Sequence, residues 1–215
     1  MAESCAEPVL KAYLEACARI DVDHVANTPL IAADLELTGL DREHDRIVAL
    51  GWTLIDNGRI RVGSSRHQLT NTDVSVGSSA TVHELLDSEV AQGECLETAL
   101  LALFEAARGR AWVFHHGGLD VAFLKKACLR WAGTAPCFAL LDTMQIELRL
   151  RRRRDLPVRQ GDLQLGHLRN IYGLPRYTAH NALTDAFATA ELMLAIAARL
   201  DGEAPAQLAP HLQYL

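Results

Sequence analysis

Asp34 and Glu36 are separated by Leu35 and follow the apolar run Leu30-Ile31-Ala32-Ala33. If that run is a strand, alternation puts both carboxylates on one face at its end. Two acids placed there repel each other and lose hydration, a cost that cations or a proton would offset. Solvated acids at a strand end are the plain alternative, and the pair alone does not separate the two. Thr38 and Gly39 follow directly and open the backbone beside the acids. Asp120 comes just after Gly117-Gly118, where an acid also complements a helix N-terminus. Before it, His115-His116 closes another apolar run with two imidazoles. Asp185 lies on the edge of an apolar helical face formed by Ala182, Ala186, Thr189, Met193 and Leu200. An aspartate in that setting needs compensation, and a cation is its natural source. His180 precedes Asp185 by too many positions to share a helix face, with Asn181 between them suited to an N-cap. A loop-borne imidazole at His180 can still swing over a floor that contains Asp185. A single histidine in such a place is more often structural, so convergence of the acids decides its meaning.

The elements that would position these residues can be read from periodicity. Leu30–Glu36, Ile47–Ile55 and Arg59–Leu69 have the character of strands, and Asp56-Asn57-Gly58 is a strong hairpin signal between the last two. A helix is expected near Leu96–Arg108, a short buried strand at Trp112–Phe114, and a helix after Gly117-Gly118 with Val121, Leu124, Ala127, Cys128 and Trp131 on one stripe. Phe138–Leu141 reads as another strand, Leu163–Tyr172 as a helix ended by Gly173 and Pro175, and Ala182–Leu200 as the last long helix. Three early strands followed by alternating helices and strands predict an α/β fold with a mixed sheet covered by helices. Ahead of this domain, at 29–201, residues 1–28 are expected to hold an accessory amphipathic helix starting at Pro8. The tail at 202–215 is expected to wrap the surface or stay mobile.

Bulk properties narrow the classes of function. A chain of 215 residues can bury one substantial core. No apolar run approaches the roughly 20 residues of a membrane span, and the start Met1-Ala2-Glu3 lacks a secretory pattern. Five scattered cysteines without close pairs favour reduced thiols, and a cytoplasmic location is expected. The net charge of -6 argues against broad attraction to nucleic acid. Against that stands the crowd of Arg149, Arg151, Arg152, Arg153, Arg154 and Arg159, which reads either as a solvated helix face or loop, or as a basic entrance to an acidic, metal-loaded pocket.

Three segments resemble a known family. They are Asp34-Leu35-Glu36-Leu37-Thr38-Gly39-Leu40-Asp41, His115-His116-Gly117-Gly118-Leu119-Asp120 and His180-Asn181-Ala182-Leu183-Thr184-Asp185. Together they are similar to the motifs of the DnaQ-like 3′–5′ exonucleases, which carry four metal-binding acids and one histidine and include the proofreading epsilon subunit of bacterial DNA polymerase III. The resemblance covers roughly residues 29 to 200 and implies a ribonuclease H-like fold with a mixed sheet of about five strands flanked by helices. It implies that Asp34, Glu36, Asp120 and Asp185 hold two divalent ions, Mg²⁺ or Mn²⁺, and that His180 is the general base toward the attacking water. Oxygen-only ligands suit those hard cations, and two of them about 4 Å apart can bind the attacking and leaving oxygens of a phosphoryl displacement. The implied partners are single-stranded nucleic-acid 3′ ends, with a DNA polymerase subunit as a candidate one, and no membrane.

The chain also departs from the family pattern. His116 stands where asparagine is usual, Leu119 where phenylalanine is, and Leu37 where many members have threonine. Thr38 is a candidate contact to the terminal nucleotide, and His83, in a segment similar to the family's histidine-glycine-isoleucine stretch, is a second substrate-contact candidate. Two other functions compete with a DNA exonuclease: trimming of RNA or short oligoribonucleotides, suggested by the leucine-rich first motif, and a non-catalytic nucleic-acid-binding or polymerase-associated module.

Overall fold

The computed structural model describes residues 5–72, 87–177, 181–201 and 207–215. His83 and His180 fall outside these residues. The three early strands are β1 (Leu30–Leu37), β2 (Ile47–Asp56) and β3 (Arg59–Leu69), and they form an antiparallel meander. The β2–β3 turn is the expected hairpin. Asn57 and Gly58 both have positive φ, 53° and 67°, the conformation of the tight turn favoured between twisted strands.

After β3 and a single helical turn at Asp87–Val90 the chain alternates between helix and strand. It forms α2 (Leu96–Ala107), β4 (Ala111–Phe114), α3 (Gly118–Ala132) and β5 (Ala139–Asp142), after the opening helix α1 (Pro8–Cys17). Then come α4 (Thr143–Arg153), α5 (Leu165–Ile171) and α6 (Ala182–Asp201). The sheet order is β3-β2-β1-β4-β5-β6, with β4 parallel to both β1 and β5. A helix must cross between parallel strands, so α2 and α3 follow from the topology.

The sixth strand was not expected. Gln213–Tyr214 pairs antiparallel with Ala139 and Leu140 and forms β6 at the sheet edge. Its anchoring comes from reciprocal backbone bonds between Phe138 and Leu215, at 2.9 and 3.1 Å. A two-residue strand carries no periodicity, and its partner strand alone creates it. The arginine-rich segment is also more ordered than a loop: α4 buries Ile146, Glu147 and Leu150.

Central strand β4 is buried along its whole length. Its Trp112 packs with Tyr13, Phe104 and Phe138 in an edge-to-face aromatic cluster, with ring centroids 5.0 to 6.5 Å apart. Trp112 Nε1 donates to the Tyr13 hydroxyl at 2.9 Å, and that hydroxyl donates to the Cys137 carbonyl at 2.7 Å. Buried polar atoms on aromatic rings need such partners, so these two bonds fix α1 onto the core. Helices α1 and α2 cover one face of the sheet, and α6 crosses β1, β2, β3 and β4 on the other with α4 and α5 against it.

Candidate active site

Three elements bring four acids to one end of β1. Strand β1 presents Asp34 and Glu36, the first turn of α3 carries Asp120, and the first turn of α6 carries Asp185. Single carboxylate oxygens of Asp34, Glu36 and Asp185 lie within 4.8 Å of one another. Asp120 lies outside that tight set. Its Oδ1 accepts the Leu35 backbone N–H at 3.2 Å, which holds the carboxylate against the same strand.

Gly51 makes this convergence possible. It pairs with Asp34 across the β1–β2 ladder, and a Cβ added there would fall 2.1 Å from the Ala182 carbonyl carbon and 2.2 Å from Leu183 N. The start of α6 therefore sits directly on bare backbone, and Asp185 reaches the acids one turn later. The helix start is shaped locally as expected, with Asn181 Oδ1 accepting from the Thr184 N–H at 3.1 Å.

The acids are hard to ionise together. Burial, followed by the charges of Asp120, Glu36 and Asp185, pushes Asp34 well above the usual carboxylate range. Burial with Asp185 and Asp120 lifts Glu36 to about 7. Asp120 also rises to about 7 through burial, despite the backbone N–H groups of Leu35 and its own residue favouring the anion. No guanidinium or ammonium is ion-paired to Asp34, Glu36 or Asp120 among the described residues. Buried carboxylates brought this close together are suited to bind a hard metal ion, which would offset their mutual repulsion and lost hydration.

Asp34 and Asp185 line the floor of a cleft of about 780 Å³ that runs from them to α5 and the segment after it, with His115, Arg176 and Tyr177 among its walls. His115 is held neutral: burial drives its pKa down to about 4, and its Nδ1 lies 2.9 Å from Thr143 Oγ1. Arg169 is buried beneath the cleft. It donates to the carbonyls of Ala188 and Pro175 and to Glu191, each at 2.7 Å, and lies under the Tyr177 ring. Arg169 thereby ties the end of the 174–177 segment to α6, three residues before His180. No sequence signal marked Arg169, Gly51 or Asp142, because each acts through residues distant in the chain.

A family model of RNase T-type exonucleases matches residues 31–193. The chain belongs to the RNase T exonuclease family. This DnaQ-like family accounts for the three motifs and for the ribonuclease H-like sheet, and it makes the protein a nuclease enzyme. The 3′-5′ exonuclease DinG of Staphylococcus haemolyticus is 25% identical over 171 residues, which is 79% of this chain and 18% of DinG. The chain thus spans about a fifth of that relative's length. Exonuclease X, solved in complex with 5′ overhanging duplex DNA, superposes with a TM-score of 0.60 at 20% identity, covering 79% of this chain and 92% of that one. E. coli Exonuclease I, solved with a dT13 oligonucleotide, superposes with a TM-score of 0.66 at 14% identity over 82% of this chain and 42% of that one.

Within this family setting the departure at His116 has a physical explanation. His116 adopts a left-handed backbone, with φ of 62°. Asparagine and histidine are both enriched in that conformation, so the exchange keeps the turn. Asp142 holds the turn by accepting from the N–H groups of His116 and Gly117 at 3.2 and 3.1 Å. Thr38 lies beside the acids, but its hydroxyl already donates to Asp45 at 2.7 Å and accepts from the Arg46 N–H at 3.0 Å. To donate to a nucleotide the hydroxyl would have to release Asp45, while one acceptor lone pair is still open. The arginine crowd divides: Arg151 is ion-paired to Glu147 and Asp162 at 3.0 and 3.4 Å, whereas Arg152, Arg153, Arg154 and Arg159 are exposed.

Proposed function

We propose that this chain is a metal-dependent 3′–5′ exonuclease that hydrolyses single-stranded DNA to nucleoside monophosphates. The observation that carries the reading is the convergence of Asp34, Glu36 and Asp185 at one end of β1, with Asp120 held against the same strand. Asp34, Glu36, Asp120 and Asp185 would hold two divalent ions, Mg²⁺ or Mn²⁺. When bound, such ions supply charge stabilisation for the attacking and leaving oxygens of an in-line displacement. His180 would take the proton of the attacking water, since a histidine with an ordinary pKa of about 6.5 accepts protons near neutral pH. Arg169 and the Asn181 cap support this role by fixing the chain on both sides of the residues 178–180. His115, kept neutral by burial, contributes hydrogen bonding and shape without adding charge to the cleft. In this reading residues 29–201 form the nuclease domain, and α1 is a helix added to its core.

A panel of DNA and RNA oligomers with defined 3′ ends, digested with each metal and scored for direction and product, tests the proposal. Stepwise release of 5′-monophosphates from free 3′ ends of DNA is expected. Faster digestion of RNA would move the substrate class to oligoribonucleotides. Binding without cleavage in either metal would refute the catalytic reading.

A further inference from the structure

We propose that the catalytic cleft continues into a second subsite, formed by His116, Met144, Arg159 and Leu163, that binds the neighbouring nucleotide of the strand. The inference rests on the exonuclease reading for its ligand and on the cavity walls for its location. A cavity of about 450 Å³ adjoins the main cleft and shares His115, Gln164 and Leu165 with it. Both are in the range of cavities that take small organic groups. A strand whose end lies at the acids can therefore continue past His115 without leaving a concave surface.

The walls of the second cavity are held in place from behind. Asp142 accepts from the His116 and Gly117 N–H groups on one side, and from the Met144 N–H at 2.9 Å on the other. One carboxylate thus fixes two walls, and it keeps His116 in a left-handed conformation that costs a non-glycine residue energy. The third wall is pinned by Asp162, whose Oδ2 accepts the Arg159 N–H at 2.9 Å and pairs with Arg151. The Arg159 backbone is fixed, while its guanidinium makes no ion pair with a carboxylate among the described residues.

The lining chemistry fits a nucleotide. An imidazole, a thioether and leucine side chains offer flat and apolar surface to a base, and the guanidinium offers a charged fork to a phosphate. No acidic residue lines this cavity, in contrast to the floor of the main cleft. Arg159 also brings a fixed positive charge to an anionic strand held close to the acids.

The test compares two substrates in the full chain: a thymidine oligonucleotide, and the nitrophenyl ester of thymidine 5′-monophosphate, which has no neighbouring nucleotide. For Arg159→Ala the ratio of kcat/KM on the oligonucleotide to that on the ester should fall about tenfold, mostly through KM. The salt dependence of oligonucleotide binding should become shallower by about one unit of slope. His116→Asn, which keeps the left-handed turn, should lower the same ratio several-fold. Arg19→Ala removes an equal charge at the exposed end of α1 and should leave the ratio unchanged. An unchanged ratio and slope in Arg159→Ala, or equal losses on both substrates, would overturn the subsite. If the wild-type protein hydrolyses neither substrate, the exonuclease reading fails instead. The subsite is then judged by oligonucleotide binding in EDTA, where unchanged affinity of Arg159→Ala overturns it.

Discussion

Replacing Glu36 with glutamine should stabilise the metal-free protein at pH 8 and make it indifferent to Mg²⁺. Burial and the charges of Asp185 and Asp120 raise the Glu36 carboxyl from its ordinary 4.5 to about 7. The folded state therefore holds this proton more tightly than the unfolded chain does. The resulting penalty is absent below about pH 4.5, grows between there and pH 7, and is complete above it. At about 1.4 kcal/mol per pKa unit the full penalty is about 3 kcal/mol, and the neutral amide of glutamine should recover about 2 kcal/mol of it after its own burial cost. For a domain of this size that is a rise in Tm of about 4–8 °C in EDTA at pH 8, with almost none at pH 5. In the wild-type protein, Mg²⁺ at a hundred times its Kd should contribute about 2.7 kcal/mol, and in Glu36→Gln this gain should largely vanish. Differential scanning calorimetry at both pH values, with EDTA and with Mg²⁺, measures all four quantities. A Glu36→Gln protein less stable than wild type in EDTA at pH 8, or a stability difference independent of pH, would refute the account of the acids.

Other consequences follow from the same geometry. Asp34→Ala or Asp185→Ala should reduce hydrolysis by at least a thousandfold while leaving the circular dichroism spectrum intact, and full activity in either variant would sink the assignment of the acids. Gly51→Ala should lower metal affinity at least tenfold by lifting the start of α6 off β2, at an overpacking cost of about 1–3 kcal/mol, as isothermal titration with Mg²⁺ can show. Arg151→Ala should destabilise the protein by about 3 kcal/mol in urea unfolding, because it leaves the buried Glu147 with the Tyr172 hydroxyl but without its cation. Charge reversal at Arg152, Arg153 and Arg154 should instead leave stability within about 0.5 kcal/mol and weaken oligonucleotide binding, with a flatter salt dependence; unchanged binding would return these arginines to solvated surface.

Much of the framework depended on local patterns. The apolar run of β1, the Asn57-Gly58 turn, the apolar stripe of α3 and the Asn181 cap are each set by neighbours a few residues apart, so the sequence by itself determined them. The three motifs likewise identified the acids, because each acid occupies a fixed place at the start or end of its own element. The tertiary structure decided how those elements meet. That Asp185 reaches Asp34 depends on Gly51, far away in the chain, having no side chain to keep α6 off the sheet. The strand β6 exists only because β5 offers it an edge, and the α4 arginines separate into buried and exposed members only once Glu147 and Asp162 are in place. The same holds for Asp142, whose carboxylate serves the β4–α3 turn and α4 together. Periodicity and capping are short-range and leave a record in sequence; contacts across the sheet depend on backbone approach and shared partners, which only the folded chain brings together.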